Sequence, residues 1–395
     1  MMDTTSNLPL PEAFIKFLEE NGLDPSIYTS TDTLPRYIRL KPGCEAEIDE
    51  IEAELQCSLN EVSWLPNFYS IPPQIQIASS KAYQHGKVYG IDAASGAAVH
   101  ALNVVPGDHV LDLCAAPGAK LCMMLDLLGG SGSVTGVDVA RHRLAACRTM
   151  VQKYALGDHC RLLVTDGTSF SLKPTRVYAG SGTCKFISNE CTLEKKTDAF
   201  MEWTSRRPWK ERKRAAKTRA ATLLHISEPE LIFYGKHSGV IGCTRDELYH
   251  IASDEELSTS GYDKVLVDAE CTHDGSIRHV QKFENWGWQT LERRVLDAER
   301  TDDLTNLQFR LLSNGFRLLK AGGSLVYSTC SLTVAQNENV VKRFLSGNSS
   351  AELQEIESSH TWPCNKGGVP RTLRFDPVTS QTSGLFVAKF TKLAI

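Results

Sequence analysis

The sequence contains no C-x-x-C pair and no close Cys/His quartet, although it holds twelve cysteines. That spacing excludes the common structural zinc sites. A core built from 395 residues needs no disulfide staples. Free thiols in a reducing compartment, with no bound metal, are therefore expected. Long apolar runs are also lacking: none approaches the ~18 residues that a membrane span requires, so no membrane partner is expected. The opening "MMDTTSNLPLPEAFIKFLEENGLD" is acidic and amphipathic. It shows neither the basic-then-apolar order of a signal peptide nor the Arg-rich bias of a transit peptide, which makes nucleus or cytoplasm the default location. No internal repeat is evident, and acidic residues exceed basic ones only slightly, 47 against 43. The net charge of -4 does not by itself announce a polyanionic partner.

What charge there is, however, is unevenly placed. Between Arg206 and Arg219, "RRPWKERKRAAKTR" carries eight basic residues against the single acid Glu211. Such a stretch serves as a solvated helix face, a nuclear import signal or a stripe of phosphate contacts. If it holds a nucleic acid, Arg206, Arg207, Lys210, Arg212, Lys213 and Arg214 are the candidate contacts.

The organisation reads as two units. Residues 1–75 predict a small α/β unit: a helix, a strand at "RYIRL", a helix at "EAEIDEIEAEL" and a strand at "EVSWLPNFYSI". Ile48, Ile51 and Leu55 recur at helical spacing and lie along one face. Pro72-Pro73 marks the expected boundary. Residues 76–395 form the second unit, and from about Val104 onward the pattern changes. "HVLDLCA", "SVTGVDV", "RLLVTD", "DKVLVDA" and "SLVYSTC" are near-continuous Val/Leu runs, each closing on a polar residue. Strands hydrophobic on both faces belong to a parallel sheet covered by helices on either side. A doubly wound α/β domain follows, with ligands beyond the carboxyl ends of its strands. Those ends carry Asp112, Cys114, Asp138, Asp166, Asp268, Cys271 and Cys330. One crossover, about 171–260, is far longer than a usual connection and contains the basic stretch.

"VLDLCAAPGAK" predicts a strand, a tight turn and a helix start, where small residues admit a ligand close to the backbone and unpaired N–H groups face it. The turn lacks the GxGxxG spacing of a dinucleotide site, which counts against a nicotinamide or flavin enzyme. Asp138 closes the next strand and can accept from both hydroxyls of a ribose. Asp166 closes the third and can accept from an adenine amino group. Carboxylates at successive strand ends disfavour a phosphate ligand and suit a cationic one. S-adenosylmethionine has the ribose, the adenine, a sulfonium charge and no phosphate.

Methylating carbon 5 of a pyrimidine needs covalent help, because that carbon has no usable lone pair. A thiolate added to carbon 6 makes carbon 5 nucleophilic. "DLCAAPGAK", the "DAEC" at Asp268–Cys271 and the "TCS" at Thr329–Ser331 resemble, in that order, the RNA cytosine-5 methyltransferases of the Nop/Sun type. The resemblance runs from about Gly86 to the C-terminus. It includes "GKVYGIDAAS" and the closing "RFDPVTSQTSGLFVAKFTK", which is similar to the family's final hairpin. It implies a class I, Rossmann-like methyltransferase domain with a small N-terminal RNA-binding unit, acting on tRNA or rRNA; apart from the resemblance, a monomer is the default.

Carried over by position, the resemblance makes Cys330 the nucleophile and Cys271 the thiol that aids product release. Asp268 would stand near the target base. Cys114, Ala115, Ala116, Pro117, Gly118, Ala119, Lys120, Asp138, Asp166 and Asp268 would line the S-adenosylmethionine site, with Lys120 also facing substrate. The chain departs from the family's "DAPCSG": Glu270 replaces proline, and Thr272 and His273 follow Cys271. Proline fixes the backbone of that turn, so its loss is expected to let Cys271 move, and a carboxylate beside Cys271 to raise its thiol pKa, with slower product release or a different RNA shape bound by the turn as the consequence. Two alternatives stand beside this reading: an RNA-binding protein that lost catalysis, and a methyltransferase acting on nitrogen or oxygen.

Overall fold

A computed structural model describes residues 10–28, 34–175, 228–235, 248–251 and 253–394. The basic stretch Arg206–Arg219, with its six candidate contacts, lies outside the described residues.

The first strands are β1 (Arg36–Leu40), β2 (Asn60–Glu61), β3 (Phe68–Ile71) and β4 (Val88–Gly90), and they form an antiparallel sheet in the order β2-β3-β1-β4. The single strand expected at "EVSWLPNFYSI" is thus two short ones. The helix Ile48–Leu55 lays Ile51 and Leu55 against this sheet, with Ile48 packed at the edge, as their spacing predicts. Because β4 pairs with β1, the small sheet runs past Pro72-Pro73 to Gly90. The first helix, Glu12–Glu20, does not join this sheet. Phe14 and Leu18 pack instead with Ile277, Val280, Phe283 and Leu332 of the larger unit.

The larger sheet contains β5 (His109–Asp112), β6 (Ser133–Asp138), β7 (Cys160–Val164), β8 (Glu230–Tyr234), β9 (Tyr262–Asp268), β10 (Leu319–Thr329), β11 (Ala351–Gln354), β12 (Asn365–Lys366), β13 (Thr372–Phe375) and β14 (Leu385–Lys392). Its order is β12-β13-β14-β10-β9-β5-β6-β7-β8, with β11 paired to β14. The pairs β10·β9, β9·β5, β5·β6 and β6·β7 are parallel, and the flanking strands run antiparallel to them. All five Val/Leu runs are these parallel strands. β8 falls inside the long crossover, where no strand was expected before Tyr262, and it closes the edge beside β7.

Alternation along each strand sends side chains to opposite faces. Val110, Leu266 and Val326 bury with the helices Ala93–Leu102, Ala119–Leu128 and Arg141–Lys153. Leu111, Val265, Val267 and Leu325 bury with Ala298–Leu318 and Glu338–Gly347 on the other face. This is a doubly wound, class I Rossmann-like fold. The chain leaves β5 toward β6 on one side and later returns to β9 on the other, so the topological switch lies between β5 and β9. Among the described residues no helix is long and apolar enough to cross a membrane.

Candidate active site

A cavity of about 450 Å³ opens beyond the carboxyl ends of the parallel strands, where the β5/β9 switch would place it. Cys114, Ala116, Lys120, Asp138, Asp166, Asp268 and Cys330 are on its wall. Ala115, Pro117, Gly118 and Ala119 are not, contrary to expectation. Ala115 turns inward, its N–H bonded to the Val137 carbonyl at 2.9 Å. Gly118 has φ 112°, and a Cβ there would sit 3.0 Å from the Cys147 backbone, so this glycine serves the close approach of two helices. The turn thus shapes the cavity without lining it at these four positions.

The carboxylates are held by the backbone. Asp138 takes the Ala140 N–H on one oxygen at 2.7 Å and the Ala116 N–H on the other at 3.2 Å. Asp166 takes the Thr168 N–H at 2.8 Å and is otherwise exposed to the cavity. Asp268 is fixed twice, accepting from Lys120 Nζ at 2.7 Å and from Ser328 Oγ at 2.7 Å. Burial disfavours the Lys120 ammonium, yet the charge of Asp268 and its hydrogen bond raise the Lys120 pKa above its ordinary value. Arg143 donates to the Ala116 carbonyl at 2.9 Å. Five carboxyl-bearing residues, Asp92, Asp138, Asp166, Asp268 and Glu270, line the cavity against the cations Lys120 and Arg143, and Lys120 is paired with Asp268, which gives the described wall an acidic character. Asp112 stays behind the wall, fully buried, with its pKa pushed up to about 7 by burial and then by Asp268.

Parallel pairing sets Ser328 beside Asp268, so the residues just beyond each strand end meet. Cys330 is half-buried on the cavity wall, and Cys271 lies behind it, 1% exposed. Their Sγ atoms are 3.2 Å apart, beyond a disulfide bond, and all nine described cysteines are free thiols. His273, which in the sequence stands out only as a departure from the family pattern, completes the group. Its Nδ1 is 2.9 Å from Cys330 Sγ and 3.6 Å from Cys271 Sγ. Two sulfurs on a tetrahedral zinc would stand about 3.8 Å apart, and a sulfur and an imidazole nitrogen about 3.6 Å. The closer spacing of Cys330 to both neighbours suits shared protons.

Glu270 does not act as expected. Burial raises the Cys271 pKa well above the thiol range, and the hydrogen bond and charge of Cys330 add to it, while His273 works against them. The Glu270 carboxylate is exposed and pairs with Arg300 at 3.4 Å. Nor is the turn loose without proline. Glu270 O accepts from Gln308 Nε2 at 2.8 Å, and Thr272 N–H donates to Gln336 Oε1 at 3.1 Å. Leu332 N–H donates to Asp274 at 2.7 Å, and Tyr28 OH donates to the Asp274 carbonyl at 2.7 Å. Gln336 is fully buried and also donates to Thr272 Oγ1 at 2.8 Å. Gln336→Leu would leave the Thr272 N–H without its partner, at about 1–3 kcal/mol for each group stranded. A lower urea midpoint with an unchanged slope is the expected result, read by fluorescence unfolding.

Asp92, from "GKVYGIDAAS", accepts the Ala94 N–H at 3.0 Å and the Ser383 N–H at 3.1 Å, tying the helix Ala93–Leu102 to the closing hairpin at the cavity rim. Burial raises its pKa. Sequence reasoning singles out neither Asp92 nor His273 for the site. A histidine two residues after a candidate cysteine was the signal for the second.

A family model described as 16S rRNA methyltransferase RsmB/F matches residues 99–178 and 242–391. A 28S rRNA (cytosine-C(5))-methyltransferase of Mus musculus is 25% identical over 336 residues, which cover 84% of this chain and 52% of that protein. The rRNA (cytosine-C(5))-methyltransferase NOP2C of Arabidopsis thaliana is 22% identical, covering 78% of this chain and 53% of that one. The chain spans about half the length of these relatives. A crystal structure of NSun6 from Pyrococcus horikoshii with SFG aligns over 98% of this chain and 99% of that one, with a TM-score of 0.63 at 15% identity, and so shares the fold.

Proposed function

The chain belongs to the 16S rRNA methyltransferase RsmB/F family, and from that premise we propose that it methylates carbon 5 of a cytosine in tRNA or rRNA through a bond from Cys330 to carbon 6. The observation that carries this reading is the half-exposed Cys330 thiol on the wall of an acidic cavity, 3.2 Å from a second, buried thiol.

S-adenosylmethionine fits the described wall and supplies, when bound, an electrophilic methyl group. Asp138 and Asp166 would hold its ribose and adenine, Leu113 and Val139 offer apolar surface, and Cys114 to Lys120 shape the near side. A cationic ligand suits a wall on which carboxylates outnumber basic groups. Asp268 and Lys120 hold each other in place beside Cys330, so either can present a fixed hydrogen bond to the base.

Cys330 supplies the electron pair that carbon 5 lacks. Its sulfur bonds to carbon 6, and the carbon 5–carbon 6 electrons then reach the methyl carbon. Loss of the carbon 5 proton restores the double bond and expels the sulfur. Cys271 stands within reach of that leaving sulfur and aids release. A stacked cytosine cannot offer carbon 6 to a thiolate, so the target must be flipped or lie in a single-stranded loop. The small N-terminal sheet, packed against this domain, would present the RNA.

The basic stretch would hold RNA phosphates. Neutralising Arg206, Arg207, Lys210, Arg212, Lys213 and Arg214 together is expected to weaken RNA binding and to flatten its dependence on salt, by about one unit of log–log slope for each phosphate that the protein no longer neutralises. Filter binding across a salt series checks this. An unchanged slope assigns the stretch to a solvated face or an import signal. The reaction itself is tested by radiolabel transfer from S-adenosylmethionine to total RNA, followed by bisulfite sequencing to locate the cytosine.

A further inference from the structure

The reaction as written needs Cys330 as a thiolate, and nothing in it removes the thiol proton. We propose that His273 is the base that takes this proton and returns it when the sulfur leaves the ring. This inference rests on the reading of Cys330 as nucleophile and adds a further catalytic residue to the two thiols.

Three observations point to His273. Its Nδ1 is nearer to Cys330 Sγ, at 2.9 Å, than to Cys271 Sγ, at 3.6 Å, so the bond is aimed at the exposed thiol. Its backbone sits at φ 59°, a left-handed conformation that is costly for a side chain of this size and that persists where the surroundings impose it. And the turn bearing it is fixed from outside, by Gln336 on Thr272 and by Tyr28 on Asp274. A base that must meet one sulfur needs this rigidity.

The charges around the ring favour its accepting a proton. Of the causes that raise the His273 pKa, the charge of Cys271 applies only to its thiolate, which burial disfavours, so the carboxylates of Glu270 and Asp268 carry the effect, against burial of the ring. His279, from the next helix, has its ring 5.2 Å away, with its pKa lowered to about 4 by burial and by the positive charge of its neighbours, so it adds no opposing charge at neutral pH. Lys120, the cation nearby, is engaged by Asp268. Cys271 is held as a thiol by burial and does not compete as a base.

The step balances. The Cys330 proton passes to neutral His273 Nδ1, giving an imidazolium beside a thiolate. The thiolate pair forms the sulfur–carbon 6 bond. After methyl transfer the carbon 5 proton passes to solvent water, the carbon 5–carbon 6 double bond re-forms as the sulfur–carbon 6 bond breaks, the sulfur regains its pair, and the imidazolium returns its proton. No oxidant or further reactant is needed.

The test is the alkylation rate of Cys330 by iodoacetamide in the full chain, read by peptide mapping across pH, without RNA or methyl donor. His273→Asn places an amide near the Nδ1 position and tolerates left-handed backbone, but it cannot hold a proton. Relative to the native chain, the variant is expected to react about tenfold or more slowly at neutral pH. Equal rates and equal pH profiles would overturn the proposal. Should the variant not fold, the native chain decides: Cys330 is expected to be alkylated at neutral pH about tenfold or more faster than Cys44 and Cys57, half-buried thiols outside the site, and equal rates would overturn the proposal equally. Because neither measurement involves methyl transfer, a normal Cys330 thiol in an active enzyme rejects the pair alone. A failed methylation test leaves the thiol result standing.

Discussion

Cys330→Ala is expected to abolish methyl transfer to RNA, lowering the rate by at least about a thousandfold. The loss is that large because no other group at the site can supply the pair that activates carbon 5. Cys271 is 1% exposed and held protonated, so it does not replace its neighbour. Asp268 and Lys120 are held by one another and offer hydrogen bonds to the base, not a nucleophile for carbon 6. The substitution removes one half-buried sulfur from a cavity wall and leaves the strand β10 ladder in place, so fold and cofactor affinity are expected to survive. Radiolabel transfer measured beside cofactor binding therefore separates lost chemistry from lost structure. Label that persists in this variant would move the nucleophile elsewhere or replace the mechanism with transfer to nitrogen or oxygen.

Cys271→Ala is expected to give the opposite signature: a protein–RNA species that survives a denaturing gel. With the second thiol gone, the Cys330 adduct still forms but its breakdown slows. The 3.2 Å between the sulfurs places Cys271 near enough to matter for that step, and its burial explains why it does not start the reaction. The double variant Cys271→Ala/Cys330→Ala is expected to show no such species. Absence of trapped RNA in the single variant would remove Cys271 from release while leaving methylation itself untouched.

The parallel sheet was legible because its strands bury both faces. Val110 and Leu111, or Val265 and Leu266, point to opposite cores, and both must be apolar, which writes a continuous run into the sequence. β8 and β4 were not legible: "ELIFY" and "VYG" are short, edge-like runs whose strand identity comes from their pairing with β7 and β1. The partner of the first helix was hidden for a related reason. An amphipathic face on Phe14 and Leu18 announces that it will be covered, but not that Ile277 and Val280 will cover it.

At the site, the strand-end carboxylates and both thiols were readable from residue type and order. Whether they would meet depends on the register of β9 against β10, with Asp268 opposite Ser328, which no local pattern records. His273 was missed for that reason: in sequence it neighbours Cys271, and only the pairing of two strand ends carries it to Cys330, fifty-seven positions away. Glu270 was misjudged in the same way. Its adjacency to Cys271 suggested repulsion, but its side chain turns outward to Arg300.

The central claim is that one named sulfur joins a pyrimidine ring, and peptide mapping of RNA trapped by Cys271→Ala tests it most directly. After digestion of both partners, mass spectrometry is expected to find a methylated cytidine remnant on the peptide bearing Cys330. A remnant on any other residue, or an unmodified Cys330 in an enzyme that still methylates, would contradict the account.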